Sequence, residues 1–376
     1  MSHEKKSIVV VGGGGAGTSA ARLFSEKLDP TRYTLTLITA HPFLILYPAT
    51  VRMNTTSDLN LEDTALIPFD HLLQKGVGTI KIGRVVRVEG TKGEGKGGNV
   101  VLESGETVAY DALVVAPGMH WQGPIDFPDG GKEDLLPHIK GWRSKFANAK
   151  DIVVVGGGAT GIEFTGEIRD YHPDKKVTLV HGGAQLLNDA YPEKYRKRLE
   201  KDVRGRGVEI VFNDYIDDDK PSEAGTITTR KGKVLKADLV VQCRGGRPAT
   251  EFLAPLGPDV LNEHGQIRVK PTLQLQSFPN IYAGGDATDW KEQKQIAKYD
   301  AHATVIVANV LTQLAGGTPS KVYKGSYELI LITNGRYHGV AYFGVLWGIV
   351  LGNWFASMLK GKDLLVPMVR KKFGFS

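Results

Sequence analysis

Ser7-Ile-Val-Val-Val-Gly-Gly-Gly-Gly-Ala-Gly-Thr-Ser-Ala-Ala21 and Asp151-Ile-Val-Val-Val-Gly-Gly-Gly-Ala-Thr-Gly-Ile-Glu-Phe-Thr165 are two copies of one signal. Each is a valine run that closes on G-x-G-x-x-G: Gly12, Gly14 and Gly17 in the first, Gly156, Gly158 and Gly161 in the second, 144 residues further on (156 − 12). The first glycine allows a strand to turn sharply, the second lets backbone approach a pyrophosphate, and the third lets a helix pack against the strand. The helix N-terminus then offers N–H groups and positive dipole to the phosphates. One such turn predicts a dinucleotide. Two at domain-sized spacing predict a pair, and the reason to bring two together is to pass a hydride between them.

Both copies have the context the motif requires. Residues 7–11 read as a buried strand, about 16–28 as helix and 34–39 as the next strand, and 152–155, 160–171 and 176–181 repeat that order. Asp111-Ala-Leu-Val-Val-Ala-Pro-Gly118 is a further apolar strand running into a turn, and Ala237-Asp-Leu-Val-Val-Gln-Cys-Arg-Gly245 is its counterpart after the second unit. Asn280-Ile-Tyr-Ala-Gly-Gly-Asp286 puts an acidic side chain at a strand end, ahead of a helix expected from about 294 to 314. A carboxylate there can accept a hydrogen bond from a ribityl hydroxyl; the alternative is an N-cap Asp with no ligand.

A chain of 376 residues exceeds one ordinary domain, and 41% hydrophobic content with 46 glycines suits a loop-rich α/β enzyme. The single cysteine, Cys243, excludes a disulfide framework and points to a reducing compartment. It also disfavours electron relay through a dithiol, which needs two. The first strand begins by Ser7, which predicts no signal or transit peptide, and Ser2 stands where N-myristoylation requires Gly. The expected location is cytoplasmic, with peripheral attachment to an intracellular membrane or lipid droplet left open.

Together the glycine turns, the strand-turn at 114–118 and Gly285-Asp286 resemble the two-dinucleotide-fold flavoproteins. Gly156-Gly-Gly-Ala-Thr-Gly-Ile-Glu163, Val177-Thr-Leu-Val-His181, Ala301-His-Ala303, Val307-Ala-Asn309 and Lys360-Gly-Lys-Asp363 resemble the apoptosis-inducing-factor-like, ferroptosis-suppressor branch, related to type II NADH dehydrogenases. The resemblance implies an α/β fold of two Rossmann-like domains with a small C-terminal α+β domain. It divides the chain into an FAD domain at 1–119 and 247–320, an NAD(P)H domain at 120–246 and a C-terminal domain at 321–376. The implied activity is NAD(P)H:quinone oxidoreduction, with non-covalent FAD and NADH or NADPH as donor. The implied FAD contacts are Gly12, Gly13, Gly14, Gly15, Ala16, Arg52, Val85 and Asp286; Lys360 joins the candidate catalytic residues. Pro117 replaces the usual Thr of the strand-turn, and Thr39 replaces the acidic residue expected to hold a ribose.

Glu163, two residues beyond Gly161, lies in the first helical turns, where the dipole favours a carboxylate. Its expected task is to orient the nicotinamide toward the flavin; the alternative is a solvent-facing helix-start Glu. His181 stands where an acid would select a free 2′-hydroxyl and an Arg a 2′-phosphate, so it permits either. His302 reads as a packed, hydrogen-bonded core histidine. No His/Cys/Asp/Glu group has metal-ligand spacing.

The formal charge is +6. A second reading is therefore a redox-sensitive death effector that binds nucleic acid or protein. Basic residues are dispersed, as in Lys194–Lys201 where acids interleave, so no specific nucleic-acid binding is expected. Residues 340–359 carry no charge and include Tyr342, Phe343, Trp347, Trp354 and Phe355, with Lys360, Lys362, Arg370, Lys371 and Lys372 following. Gly344, Gly348 and Gly352 break that run and Gly339 precedes it, which favours a strand followed by an interfacial helix at a lipid surface where a quinone could enter. A domain core or a homodimer interface is the alternative. Gly90 to Gly98 reads as a flexible surface turn.

Overall fold

The computed structural model describes residues 5–93 and 95–375; Glu94, inside the Gly90–Gly98 turn, and Ser2 lie outside them. The two valine runs form the centres of two parallel sheets. In the first, β1 (Lys6–Val11) lies between β2 (Tyr33–Thr39) and the strand Ala112–Val115, in the order Ile281–Ala283, Ala112–Val115, β1, β2, Thr79–Ile82. In the second, β3 (Asp151–Val155) lies between β4 (Lys176–His181) and Leu239–Gln242, with Glu209–Phe212 beyond β4. Every pairing in both sheets is parallel. Helices cover such strands, so the strands are apolar on both faces. Val9, Val10, Val153 and Val154 are fully buried, each contributing roughly 1.5–3 kcal/mol.

Each glycine turn feeds a helix: α1 (Gly15–Lys27) after β1 and α3 (Ala159–Tyr171) after β3. Lys27 in its last turn suits the negative end of α1, and Asp29-Pro30 ends it. Between the two units, α2 (Tyr47–Thr55) starts with Pro48 in its first turn, where a missing N–H costs nothing. It packs on α3 from the other half of the molecule. The short strands Met119–His120 and Arg247–Pro248 pair antiparallel.

The C-terminal residues form a three-stranded antiparallel sheet, Leu329–Thr333, Gly339–Phe343 and Ile349–Leu351, followed by broken helix. The single strand and interfacial helix expected for 340–359 are corrected here. The glycines at 344 and 348 make a hairpin, and the helix is a four-residue turn, Asn353–Ala356, that passes into a π-helical segment, Ser357–Gly361. No described helix is long and apolar enough to cross a membrane. The helix expected from 294 begins as α4 at Tyr299 and runs to Leu314, because a 3₁₀ turn at Ile296–Lys298 comes first.

Candidate functional site

The first turn is as tight as its sequence requires. Gly12 has φ +113°, and a Cβ there would fall 2.0 Å from the Ala116 carbonyl oxygen; one on Gly17 would fall 1.9 Å from the Gly12 oxygen. Gly14 by contrast faces open space. The mouth of the turn opens on a cavity of about 860 Å³ whose wall includes Gly12 to Ala16, Val85, Asp286, Glu163 and Lys360. The Asp286 carboxylate accepts a hydrogen bond from the Tyr299 hydroxyl at 2.9 Å, and burial pushes its pKa up. An open glycine, a helix N-terminus and a half-buried carboxylate along one cavity could take a ligand's phosphates at Gly13 to Ala16 and a hydroxyl at Asp286.

Arg52 does not join them. Its side chain is 0% exposed, is absent from the cavity wall and is held by Glu167, with Nε to Oε2 at 2.8 Å and Nη2 to Oε1 at 2.9 Å. The expectation of a flavin contact is therefore corrected: α2 turns Thr50 and Val51 to the cavity and Arg52 toward α3.

The second turn repeats the first almost exactly in geometry. Gly156 has φ +114°, a Cβ on Gly161 would fall 1.9 Å from the Gly156 oxygen, and Gly158 faces open space. It opens on a second cavity, of about 510 Å³, walled by Gly156 to Thr160, His181 and Tyr215 among others. His181 is part of the turn's scaffold. The Gly157 N–H donates to Nδ1 at 3.1 Å, so the ring proton sits on Nε2, 3.2 Å from the Leu187 carbonyl oxygen. Burial holds the ring below the usual imidazole range. With both nitrogens bound to backbone, His181 has no free donor for a ribose or a 2′-phosphate.

Five residues line both cavities, Trp121, Ile125, Thr160, Lys294 and Gln295, so the two spaces meet along one wall. Periodicity around the glycine turns gave no sign of four of them, which come from connecting segments; Thr160 belongs to the second turn's own motif. Lys294 donates to the carbonyl oxygens of Thr288 and Trp290 at 2.8 and 2.9 Å, and burial depresses its pKa. His302 packs in the core at 2% exposure: Gly285 N–H donates to its Nδ1 at 3.0 Å, and Glu292 meets Nε2 at 3.0 Å.

Glu163 is buried at the cavity wall. Its Oε1 takes hydrogen bonds from Lys360 Nζ at 2.5 Å and from the Thr333 N–H and hydroxyl, each at 3.2 Å. Lys360 sits on the π-helical segment, so residues 197 apart meet as one charge pair beside the larger cavity. The solvent-facing alternative for Glu163 is thereby excluded. Cys243 is half-buried and has no second cysteine to pair with, and desolvation of its thiol pushes the pKa above the usual range. Outside both cavity walls, the 344–348 hairpin exposes Trp347 completely, with Leu346 and Trp347 both in left-handed backbone (φ +48° and +63°); Trp354 is 77% exposed.

Comparison with known proteins places this geometry. The family described as pyridine nucleotide-disulphide oxidoreductase matches residues 6–304. The chain is 46% identical over 316 residues to a FAD-dependent oxidoreductase, FVFD30, of Flammulina velutipes, covering 84% of this chain and 97% of that one. It is 29% identical to ferroptosis suppressor protein 1 of Xenopus tropicalis (73% of this chain, 75% of that protein) and 26% identical to apoptosis-inducing factor homolog B of Dictyostelium discoideum (97% and 96%). Among solved structures, the sulfide:quinone oxidoreductase of Aquifex aeolicus superposes with a TM-score of 0.78 at 17% identity, covering 98% of this chain and 91% of that one. The chain belongs to the pyridine nucleotide-disulphide oxidoreductase family and is an FAD-dependent oxidoreductase with NAD(P)H as electron donor. The sequence holds one cysteine, Cys243, and so no pair of cysteines within this chain.

Proposed function

From that membership, we propose that the protein is an NAD(P)H:quinone oxidoreductase, with FAD held by 1–119 and 247–320, NAD(P)H by 120–246, and an acceptor surface in 321–376. The observation that carries this reading is the wall common to the two cavities, with the Glu163–Lys360 pair set into the larger one. Bound FAD supplies two-electron acceptance from the nicotinamide and onward release. The chain's residues do the rest. Glycine backbone and helix N-termini hold the two pyrophosphates, and Asp286 fixes the polyol. Trp121 and Ile125 exclude water from the common wall. Glu163 presents a fixed carboxylate for the nicotinamide carboxamide or ribose, where orientation lowers the barrier most. Lys360 Nζ, held on Glu163, is the donor set at the side where a quinone oxygen must gain a proton.

A quinone with a long tail is dissolved in lipid. The exposed Leu346, Trp347 and Trp354, with Arg370, Lys371 and Lys372 on the last helix, offer aromatic anchors and positive charge to an anionic surface. Steady-state NADH oxidation by the purified protein should be much faster with a ubiquinone analogue than with oxygen, and unchanged by duplex DNA. Joint Trp347→Ala and Trp354→Ala substitution should weaken binding to anionic liposomes by about fivefold, roughly the worth of 1 kcal/mol. It should slow turnover of a long-tailed quinone while sparing a short soluble one. No acceleration by any quinone, with tight DNA binding at physiological salt, would return the nucleic-acid reading. Equal loss with both quinones would make the tail structural.

A further inference from the structure

Glu163 and Glu167 lie one turn apart on α3, and both are buried. Each meets a cation from a different part of the chain: Lys360 from the C-terminal π-helical segment and Arg52 from α2. The two pairs touch the same segment. While Nε and Nη2 of Arg52 grip both oxygens of Glu167, Nη2 also donates to the Gly361 carbonyl oxygen at 2.8 Å and Nη1 to that of Lys362 at 3.1 Å. These are the two residues that follow Lys360. A planar guanidinium with rigid donors can hold a carboxylate and two carbonyls at once; an ammonium cannot.

The segment needs such a hold. A π-helix is rarely sustained by local bonds and tends to occur at functional sites. This one carries a Lys362 N–H to Ser357 carbonyl bond at 3.2 Å, and Gly361 is pressed so close to the 335–336 backbone that a Cβ would fall 2.4 Å from the Arg336 oxygen. The register of the turn decides whether the Lys360 ammonium reaches Glu163 Oε1. Burial alone would push the Glu167 carboxyl up toward its neutral form, and the Arg52 bonds oppose that.

We propose that Arg52 and Glu167 are positioning residues that act through Lys360: the pair clamps the π-helical segment to α3 and thereby sets the Lys360 ammonium on Glu163 at the cavity wall. The role of Lys360 in the reaction rests on the function proposed above; the clamp itself does not.

The test replaces the pair as a unit, Arg52→Met with Glu167→Leu, because removing one partner would leave a buried charge alone, whereas apolar replacement of both is often tolerated. FAD content and thermal midpoint report folding, and Glu167→Gln serves if the double variant does not fold. The first readout is labelling of lysines by acetic anhydride, followed peptide by peptide. Lys360 should label about tenfold faster in the variant, while Lys298, buried on Glu328 and Glu292, should not. Unchanged Lys360 labelling, or equal acceleration at Lys298, would overturn the clamp, since a merely structural loosening would free both. The second readout is quinone turnover in a cycle with Lys360→Met. The pair replacement should slow turnover in the parent and add nothing in the Lys360→Met background; full additivity would also overturn the proposal. If Lys360→Met leaves turnover intact, the catalytic reading of Lys360 fails, while the labelling result still decides the clamp.

Discussion

The two glycine turns have nearly the same backbone and different surroundings. Their first glycines differ by one degree in φ, and their third glycines would drive a Cβ into the same oxygen at the same 1.9 Å. The helices that follow diverge. Offsetting by 144 puts Ser19 of α1 opposite Glu163 of α3 and Leu23 opposite Glu167 (163 − 144 and 167 − 144). Ser19 is at the surface, bonded to Asp300; both glutamates are buried, each on a cation. At the strand ends, Thr39 in the first copy donates to the nearby His41 carbonyl oxygen, and His181 in the second accepts from Gly157 within the turn itself. The glycine turn is thus a backbone property that tolerates copying, whereas the buried, cation-paired glutamates stand on one copy only.

The largest expected effect tests whether each cradle serves its own dinucleotide. Gly17→Val should give a protein that purifies without flavin, because the new side chain meets backbone that cannot yield. Gly161→Val should remain yellow and lose reduction by NADH. The flavin spectrum and anaerobic reduction rate check both; loss of flavin from the Gly161 variant would break the assignment of the second turn.

Next comes the pair of equivalent helix positions. Glu163→Ala should leave FAD bound and slow flavin reduction by about tenfold, ~1.4 kcal/mol of transition-state stabilisation, while Ser19→Ala should leave the rate unchanged. Stopped-flow reduction under anaerobic conditions distinguishes them, and equal rates in both variants would remove Glu163 from the reaction.

Strand, turn and helix were legible in both copies because valine runs and glycine spacing are local signals, and β1, α1, β2, β3, α3 and β4 fall within a residue or two of their expected limits. What the sequence hid is long-range. Nothing near Arg52 announces a carboxylate 115 residues away, and its expected flavin contact came from the resemblance alone. Lys360 came from a resemblance; its partner needed the fold. His181 was read as a strand-end side chain open to a ribose, but its bonds to Gly157 and Leu187 depend on the loop after β4 folding back. In the tail, apolar content was plain, yet glycines at 344 and 348 divide it into hairpin and turn.

The smallest effect separates the two strand ends by pH. Burial lowers the folded-state pKa of His181 below the ordinary imidazole value of about 6.5, so the contribution of the neutral ring, present above that value, is lost as pH falls toward the folded pKa. A protonated ring cannot accept the Gly157 N–H. The apparent KM for NADH should rise a few-fold only as pH falls through that depressed folded-state pKa, below the ordinary value of about 6.5, with flavin retained because Thr39 does not titrate. His181→Asn should flatten that rise; an unaltered pH profile in the variant would free His181 from the turn.

The central claim is that two copied cradles bring a nicotinamide donor to a bound flavin within one chain. The visible spectrum of the purified protein, recorded without oxygen before and after one equivalent of NADH and again after a ubiquinone analogue, tests it most directly. The protein should show a yellow flavin spectrum that NADH bleaches and the quinone restores. A colourless protein that takes up no FAD, or a flavin that NADH leaves oxidised, would contradict it.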